Sequence, residues 1–271
     1  HIMLFRYIDQ SVSDKTHALP LVSVILPCFN AIAYIESAVS SVLFQTYNNL
    51  ELLIIDDCST DNTFLLAQRL KNQDPRIKVF RTKKNSGGPA LPRNIGISCS
   101  SGELIAFLDA DDVWHPEKLE LQVSLIEFSG TFLVSSGAIK FMDGPNPVFS
   151  QIPEAVSFET LSREQLLLRN EIIMSSVLIR KSDLLYQFDE HKSHSAVEDY
   201  ILWLKLHEQH GHSLILSDNL VGYRVTSDSL SANKLKMIAR HFRALRTCGI
   251  SVLQASFYTW VYIVISVIRR L

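Results

Sequence analysis

Hydrophobic positions along this chain alternate between two periods. From Val22 the run Val-Ser-Val-Ile-Leu is short, β-branched and almost wholly apolar, which predicts a parallel strand buried on both faces and ending at Pro27. Asn30 offers a helix cap ahead of Ile32, Ile35, Val39 and Val42, whose three- and four-residue spacing defines one buried stripe. Leu50 to Ile55 repeats the strand pattern, and the next helix is expected to start within Ser59 to Asp61 and to turn Leu65, Leu66 and Leu70 inward. Ile77 to Phe80 and Glu103 to Leu108 predict two more strands, separated by a loop over Lys83 to Pro92 and a short helix around Arg93 to Ile97. His115-Pro116-Glu117 opens a helix with Leu119, Val123 and Ile126 on one face, and Thr131 to Ile139 reads as a strand.

Such alternation predicts a Rossmann-like α/β sheet, with parallel strands, right-handed crossovers and helices on both faces. Residues 1–20 lack a sustained period and are expected to lie as a leader on the surface of a main domain over 21–230. That domain divides into a ligand-binding half, about 21–140, and a more irregular half, about 141–230. A helical C-terminal extension, 231–271, carries Lys234, Lys236, Arg240, Arg243 and Arg246, then an uncharged stretch from Gly249 to Ile268 closed by Arg269 and Arg270. Ser251, Gln254, Tyr258, Tyr262 and Ser266 form a polar stripe on that stretch, which suits an interfacial helix on an anionic inner leaflet better than a spanning one. Packing on the domain itself or on a second subunit is the competing expectation.

The chain has 271 residues, 47% apolar and 20% charged, enough for one large α/β domain with a small appendage. Its net charge of -2 excludes a strongly basic nucleic-acid binder and points to a small molecule or a lipid as partner. Cys28, Cys58, Cys99 and Cys248 lie far apart, without metal-ligand spacing, and no secretory signal pattern opens the chain, so a reducing cytoplasm is expected.

In an open α/β sheet ligands bind beyond the carboxyl ends of the strands. Those ends carry Pro27-Cys28-Phe29-Asn30, then Asp56-Asp57-Cys58-Ser59-Thr60-Asp61, then Asp109-Ala110-Asp111-Asp112. Carboxylates gathered at one edge repel one another unless a cation joins them, and oxygen ligands of this kind suit Mg²⁺ or Mn²⁺, with a phosphate-bearing substrate completing the shell. Asp109 and Asp111 are placed to share that cation, while Asp112 faces elsewhere, into a cap of the next helix. No G-x-G-x-x-G follows the first strand and no P-loop occurs, so neither nucleotide motif supplies the phosphate anchor. His207, His210 and His212 miss the H-E-x-x-H spacing and read as a polar helix end, and Phe107 and Phe132 as ordinary packing.

The segments VSVILPCFN (22 to 30), IIDDCSTDNT (54 to 63), NSGGPALPRNIGI (85 to 97) and GELIAFLDADDVWHPEKL (102 to 119) resemble, in order and spacing, the inverting bacterial-type family 2 glycosyltransferases. The resemblance covers about residues 20 to 230 and implies a GT-A fold, with a parallel or mixed sheet flanked by helices. It implies that Pro27, Phe29 and Asn30 border the nucleobase, that Asp57 accepts from it, and that Asp56 supports the ribose or the loop. Arg93 would lie near the nucleotide, with Asn94 shaping the turn. Asp109-Ala110-Asp111 would be the DxD element, Asp111 binding the metal directly and Asp109 shared with the ribose. Glu198-Asp199 would supply the general base, Asp199 in that role, and Arg224 would reach the diphosphate from a flexible loop ahead of Ser227, Ser229 and Leu230.

Thr226 replaces a histidine frequent in the family, which leaves water, Asp218 or Asp228 as a further ligand, and Cys58 replaces a glycine. The implied activity is metal-dependent, inverting transfer of one sugar from a nucleoside diphosphate sugar, UDP-sugar favoured, to a hydroxyl of a glycan or lipid-linked glycan in surface polysaccharide synthesis. A non-catalytic sugar-nucleotide-binding subunit and a nucleotidyltransferase are the alternatives. A peripheral position on the inner face of the cytoplasmic membrane, or a homodimer, would follow from the extension.

Overall fold

The apolar runs lie side by side. In the computed structural model, which describes residues 2–5, 19–153, 155–225 and 234–268, β2 (Val22–Cys28), β3 (Leu50–Asp56), β4 (Ile77–Arg81) and β5 (Leu104–Phe107) run parallel in the order β5-β2-β3-β4. Their connections hold α1 (Ile35–Leu43), α2 (Thr63–Gln73) and α3 (Ala90–Cys99). Alternate side chains separate two cores, as a strand's period of two requires. Val24, Leu26, Leu52 and Ile54 meet α1, α2 and α4 (Lys118–Ser129) on one face. Ile25, Leu53, Ile55 and Phe107 meet α3 and α6 (Glu198–His210) on the other.

Beyond β5 the sheet becomes mixed. β9 (Leu178–Arg180) lies antiparallel to both β5 and β7 (Leu133–Phe141), and β10 (His212–Arg224) runs parallel to β7. β8 (Ala155–Ser162) and β6 (Val113–Trp114) pair antiparallel with β10. Residues after 141 thus extend the same sheet. β1 (Ile2–Phe5) pairs with β8 as an edge strand, so these residues of the expected leader join the sheet, while 6–18 lie outside the described residues.

Several boundaries depart from the pattern for identifiable reasons. β2 continues through Pro27 to Cys28. The Ile25 carbonyl faces β5, accepting from Leu108, and the Cys28 carbonyl faces β3, accepting from Asp57. The missing N–H of Pro27 is therefore on the β5 side, where pairing has ended at Ile25, and no ladder bond to β3 is lost. Asn30 caps nothing: its backbone sits at φ 48° and its amide oxygen accepts from the Thr60 and Asp61 backbone. α1 begins only at Ile35, leaving Ile32 exposed, and Leu65 points outward from α2, where Ala67 and Leu70 are buried instead. α3 begins at Ala90, so Pro92 falls in its first turn, where an N–H has no helical partner to lose. Gly96 lets α3 press onto the sheet, since a Cβ there would stand 2.5 Å from Ile25.

His207 is buried, with contacts to the Trp203 carbonyl at 2.8 Å and the Ser213 hydroxyl at 2.9 Å, which overturns its reading as part of a polar helix end. Phe132 packs against the rings of both His207 and His210. The extension folds into α7 (Lys234–Thr247) and α8 (Val252–Ile268), which pack on each other and on α6 and α5 (Arg163–Leu168) respectively. Among the described residues no helix is long and apolar enough to cross a membrane.

Burial pushes the imidazoles of His207 and His241 down to about 4 each. The unfolded chain, titrating near 6.5, binds more protons than the folded one between those values, so stability falls as pH drops through that window. Thermal denaturation should show a plateau above pH 7 and a loss on the order of 2–3 kcal/mol per histidine by pH 4.5. His241→Phe keeps the ring between Tyr200 and Tyr262 and should flatten part of that slope; an unaltered slope would remove His241 as a cause.

Candidate active site

The carboxyl ends of β2, β3 and β5 converge as the pattern requires. After β5 the chain turns through Asp109-Ala110-Asp111-Asp112, closed by a bond from Asp112 N to the Asp109 carbonyl. Asp112 is 1% exposed, and its carboxylate accepts from the Ser175 hydroxyl at 2.6 Å and the Arg224 N–H at 2.9 Å. It ties the turn to β10 and to residues 174–176, and caps no helix. The Ser175 hydroxyl also accepts from Asp109 N at 3.0 Å. Both ends of the acidic turn therefore hang on one serine.

Arg93, on α3, is 4% exposed and joins two distant acids. Its guanidinium donates to Asp109 at 2.7 Å and to Glu198 at 2.9 Å. Burial opposes its charge, yet Asp109 and Glu198 more than offset this and hold the group charged. Glu198 and Asp199 begin α6, where the helix dipole favours acids. Glu198 is buried, with Oε2 unpartnered among the described residues, and it lines a cleft of about 190 Å³ that also takes in Lys84, Glu190 and Lys192. Burial, then the charge of Glu198, pushes Asp199 up to about 7.

At the β2–β3 corner Phe29 is 47% exposed, a free aromatic face, while Pro27 is buried. Asp57 accepts from the Thr82 hydroxyl and from the N–H and hydroxyl of Ser86. These three donors use most of the roughly four acceptor sites of a carboxylate. Asp56 has no exposed surface and binds Ser59 N and the Arg81 guanidinium, so it holds the loop after β3. Cys58 in that loop stands at φ 58°, a left-handed backbone that glycine tolerates best. Asn94 shapes no turn; from α3 it binds the Phe188 backbone and Glu190, fastening the segment that leads to α6.

Residues 23–185 match the family model Glycosyl transferase family 2. The chain belongs to glycosyltransferase family 2. The UDP-Glc:alpha-D-GlcNAc-diphosphoundecaprenol beta-1,3-glucosyltransferase WfgD of Escherichia coli is 34% identical over 251 residues, which is 91% of this chain and 94% of that protein. TuaG of Bacillus subtilis (strain 168), a glycosyltransferase named for teichuronic acid biosynthesis, is 34% identical over 225 residues, 82% of this chain and 85% of its own. Among solved structures, S. aureus TarS 1-349 in complex with UDP-GlcNAc superimposes with a TM-score of 0.68 at 20% identity, over 89% of this chain and 71% of that one. The mannosyltransferase PcManGT from Pyrobaculum calidifontis, in complex with GDP-Man and Mn2+, gives 0.66 at 18%, over 90% and 72%. The fold is thus GT-A and the protein a glycosyltransferase.

In this family 2 enzyme the acidic corner fits a divalent cation. Asp109, Asp111, Asp112, Glu198 and Asp199 outnumber the guanidinium groups of Arg93 and Arg224. Burial, then the charge of Asp109, pushes Asp111 up to about 6, against the opposing charge of Arg224. Among the described residues no cluster of three or more acidic, histidine or cysteine side chains forms a ready cage, so phosphate and water oxygens would have to complete the shell. Asp218 cannot, because six residues of β10 place it roughly 20 Å from Arg224. Thr226, Ser227, Asp228, Ser229 and Leu230 lie outside the described residues.

Arg224 ends β10 instead of riding a loop. Its guanidinium lies between the rings of Tyr34 and Phe141 and donates to the Asp111 carbonyl at 3.0 Å. The pattern gave no sign of Ser175, Tyr34 or Thr82, since none sits in an acidic or glycine-rich motif; Ser86 does lie in the NSGG segment, but its role depends, like theirs, on a contact at long sequence distance.

Arg93→Met should destabilise the fold by about 3–5 kcal/mol, because it strands one buried and one half-buried carboxylate. Arg93→Lys, which cannot fork to both acids, should lose more than half of that. Chemical denaturation of the three proteins measures the ranking, and equal stability of all three would deny the bridge.

Proposed function

We propose that this enzyme moves one sugar from a UDP-sugar, with inversion, onto a hydroxyl of a glycan or lipid-linked glycan during surface polysaccharide synthesis. The Arg93 bridge between Asp109 and Glu198 carries the reading, because one buried guanidinium fixes the donor corner relative to the acid pair at the head of α6. The E. coli relative, named for UDP-Glc and a diphosphoundecaprenol-linked acceptor, supports the donor and acceptor classes. Structures of TarS with UDP-GlcNAc and of PcManGT with GDP-Man and Mn2+ support a metal-assisted nucleotide-sugar site on this fold.

In this reading Phe29 stacks on the base beside Pro27 and Asn30, and the last acceptor site of Asp57 reads an imide N–H. Mn²⁺ or Mg²⁺ held by Asp111 and Asp109, with Ala110 spacing them, would neutralise the departing diphosphate. Asp199 takes the proton of the acceptor hydroxyl as its oxygen bonds to the anomeric carbon and the bond from that carbon to the diphosphate oxygen breaks. Glu198, engaged by Arg93, keeps Asp199 in place, and Arg224 secures the acidic turn through the Asp111 carbonyl. A lipid-linked acceptor puts the enzyme's working position at the cytoplasmic face of a membrane.

Sugar transfer should disappear on chelation, return with Mn²⁺ or Mg²⁺, and fall roughly 10²–10⁴-fold in Asp111→Asn with UDP still bound in calorimetry. Full activity in a chelator would refute the metal's part. Since Asp199 works only when ionised, kcat/KM should rise with pH through about 7 and then level off. Asp199→Asn should cost roughly 10²–10⁴-fold in kcat. A flat profile between pH 5.5 and 8.5 would move the base elsewhere.

A further inference from the structure

α8 shows two opposite faces. Ala255 is fully buried and Thr259 is 8% exposed, against α5 and α7, and Tyr262 stacks on His241. On the far side Leu253 is 84% exposed, Phe257 57% and Trp260 61%, at helical positions i, i+4 and i+7, and Val267 follows two turns later at 56%. No charged residue interrupts the helix. So large an uncovered apolar stripe, with two aromatic rings, is not a feature that water stabilises.

The charges on α7 have one sign. It contains no acidic residue, and among the described residues two of its exposed arginines bond neutral carbonyls alone: Arg243 to Ser193 at 2.7 Å and Arg246 to Ile250 at 2.5 Å. The second bond seats Arg246 at the turn into α8, a few residues before Leu253. The described part of α8, seventeen residues, is about 25 Å long, and among the described residues no helix is long and apolar enough to cross a hydrocarbon core of about 30 Å, a thickness that does not constrain a helix lying in the bilayer surface.

We infer that α8 seats the enzyme on an anionic lipid surface, with Leu253, Phe257, Trp260 and Val267 entering the boundary between headgroups and acyl chains and Arg246 meeting lipid phosphate. The inference rests on the reading that the chain works at a membrane, and gives that position a structural cause. It also orients the active site. Arg243 bonds Ser193, and Thr247 contacts His194 at 3.3 Å, in the segment whose neighbours Lys192 and Ser195 line the cleft beside Glu198.

The three tryptophans make the test specific. Trp114 and Trp203 are 2% and 0% exposed, so changes in emission on adding vesicles report Trp260. With the full chain and vesicles of phosphatidylcholine mixed with phosphatidylglycerol, the emission should shift to the blue, brominated lipid should quench it, and the protein should co-sediment. Binding to pure phosphatidylcholine should be roughly tenfold weaker or more. The double variant Leu253→Ser with Phe257→Ser should lose co-sedimentation while keeping its circular dichroism and thermal midpoint.

Protein left in the supernatant with Trp260 unquenched would overturn the proposal. So would a stable dimer by light scattering whose Trp260 emission is already blue-shifted without lipid, since a second copy would then be the occupant. Neither measurement involves sugar transfer, so failure here leaves the transfer reading standing, and an inactive enzyme that still binds vesicles would leave the docking standing.

Discussion

A single buried guanidinium sets the terms for the rest of the site. Arg93 is too deep to be solvated, and it is held charged only because Asp109 and Glu198 approach it from separate elements. Asp109 contributes first and Glu198 after it, so the arrangement is complete only when α3, the turn after β5 and the start of α6 are all in place. Gly96, one turn further along the same side of α3, lets the helix sit low on β2 and β3 beside the acidic turn that Arg93 reaches. Fold stability and placement of the two acidic motifs therefore depend on the same pair of contacts.

A second layer of polar contacts keeps the acidic turn from relaxing away from its own charge. Ser175 holds both Asp109 N and the Asp112 carboxylate, and its own carbonyl receives the Trp114 indole N–H at 2.8 Å. Behind it, Gln122 donates to the Ser176 carbonyl and accepts from Lys118, whose ammonium lies 4.0 Å from the Trp114 ring centre. Burial drives the Lys118 amine well below its usual range, so it acts as a packed hydrogen-bond donor more than as a counter-charge. Asp112 is likewise pushed well upward, by burial and then by Asp109 and Asp111.

What the sequence made legible follows from the range of each interaction. The buried parallel strands, the helices between them and the acidic edge are local patterns, readable from apolar runs and from the carboxylates that follow them. Glu198-Asp199 was readable as a helix start, but its burial was not, because it depends on Arg93, 105 positions away in the chain. The same limit explains Asn30 and Asp112, where cap chemistry was the sensible local expectation and a distant backbone N–H won the contact. β1 was illegible because an edge strand is defined by its partner, β8, more than by its own four residues. Antiparallel pairing next to the parallel half came from β9, three residues long and too short to register as a period.

The C-terminal hairpin shows the same dependence of a local pattern on a distant partner. Its polar stripe suggested a helix divided between water and lipid, yet Tyr258 and Tyr262 from that stripe turn toward protein, the latter onto His241. The face left uncovered is instead the apolar one through Leu253, Phe257 and Trp260. Thr259 and Tyr262 turn to the inward face because His241 offers partners there, and the larger apolar side chains were left outside. A helix that turns hydroxyl-bearing residues to its own domain and leaves large apolar ones free departs from the amphipathicity of an ordinary surface helix, and water is the environment in which that departure is least stable.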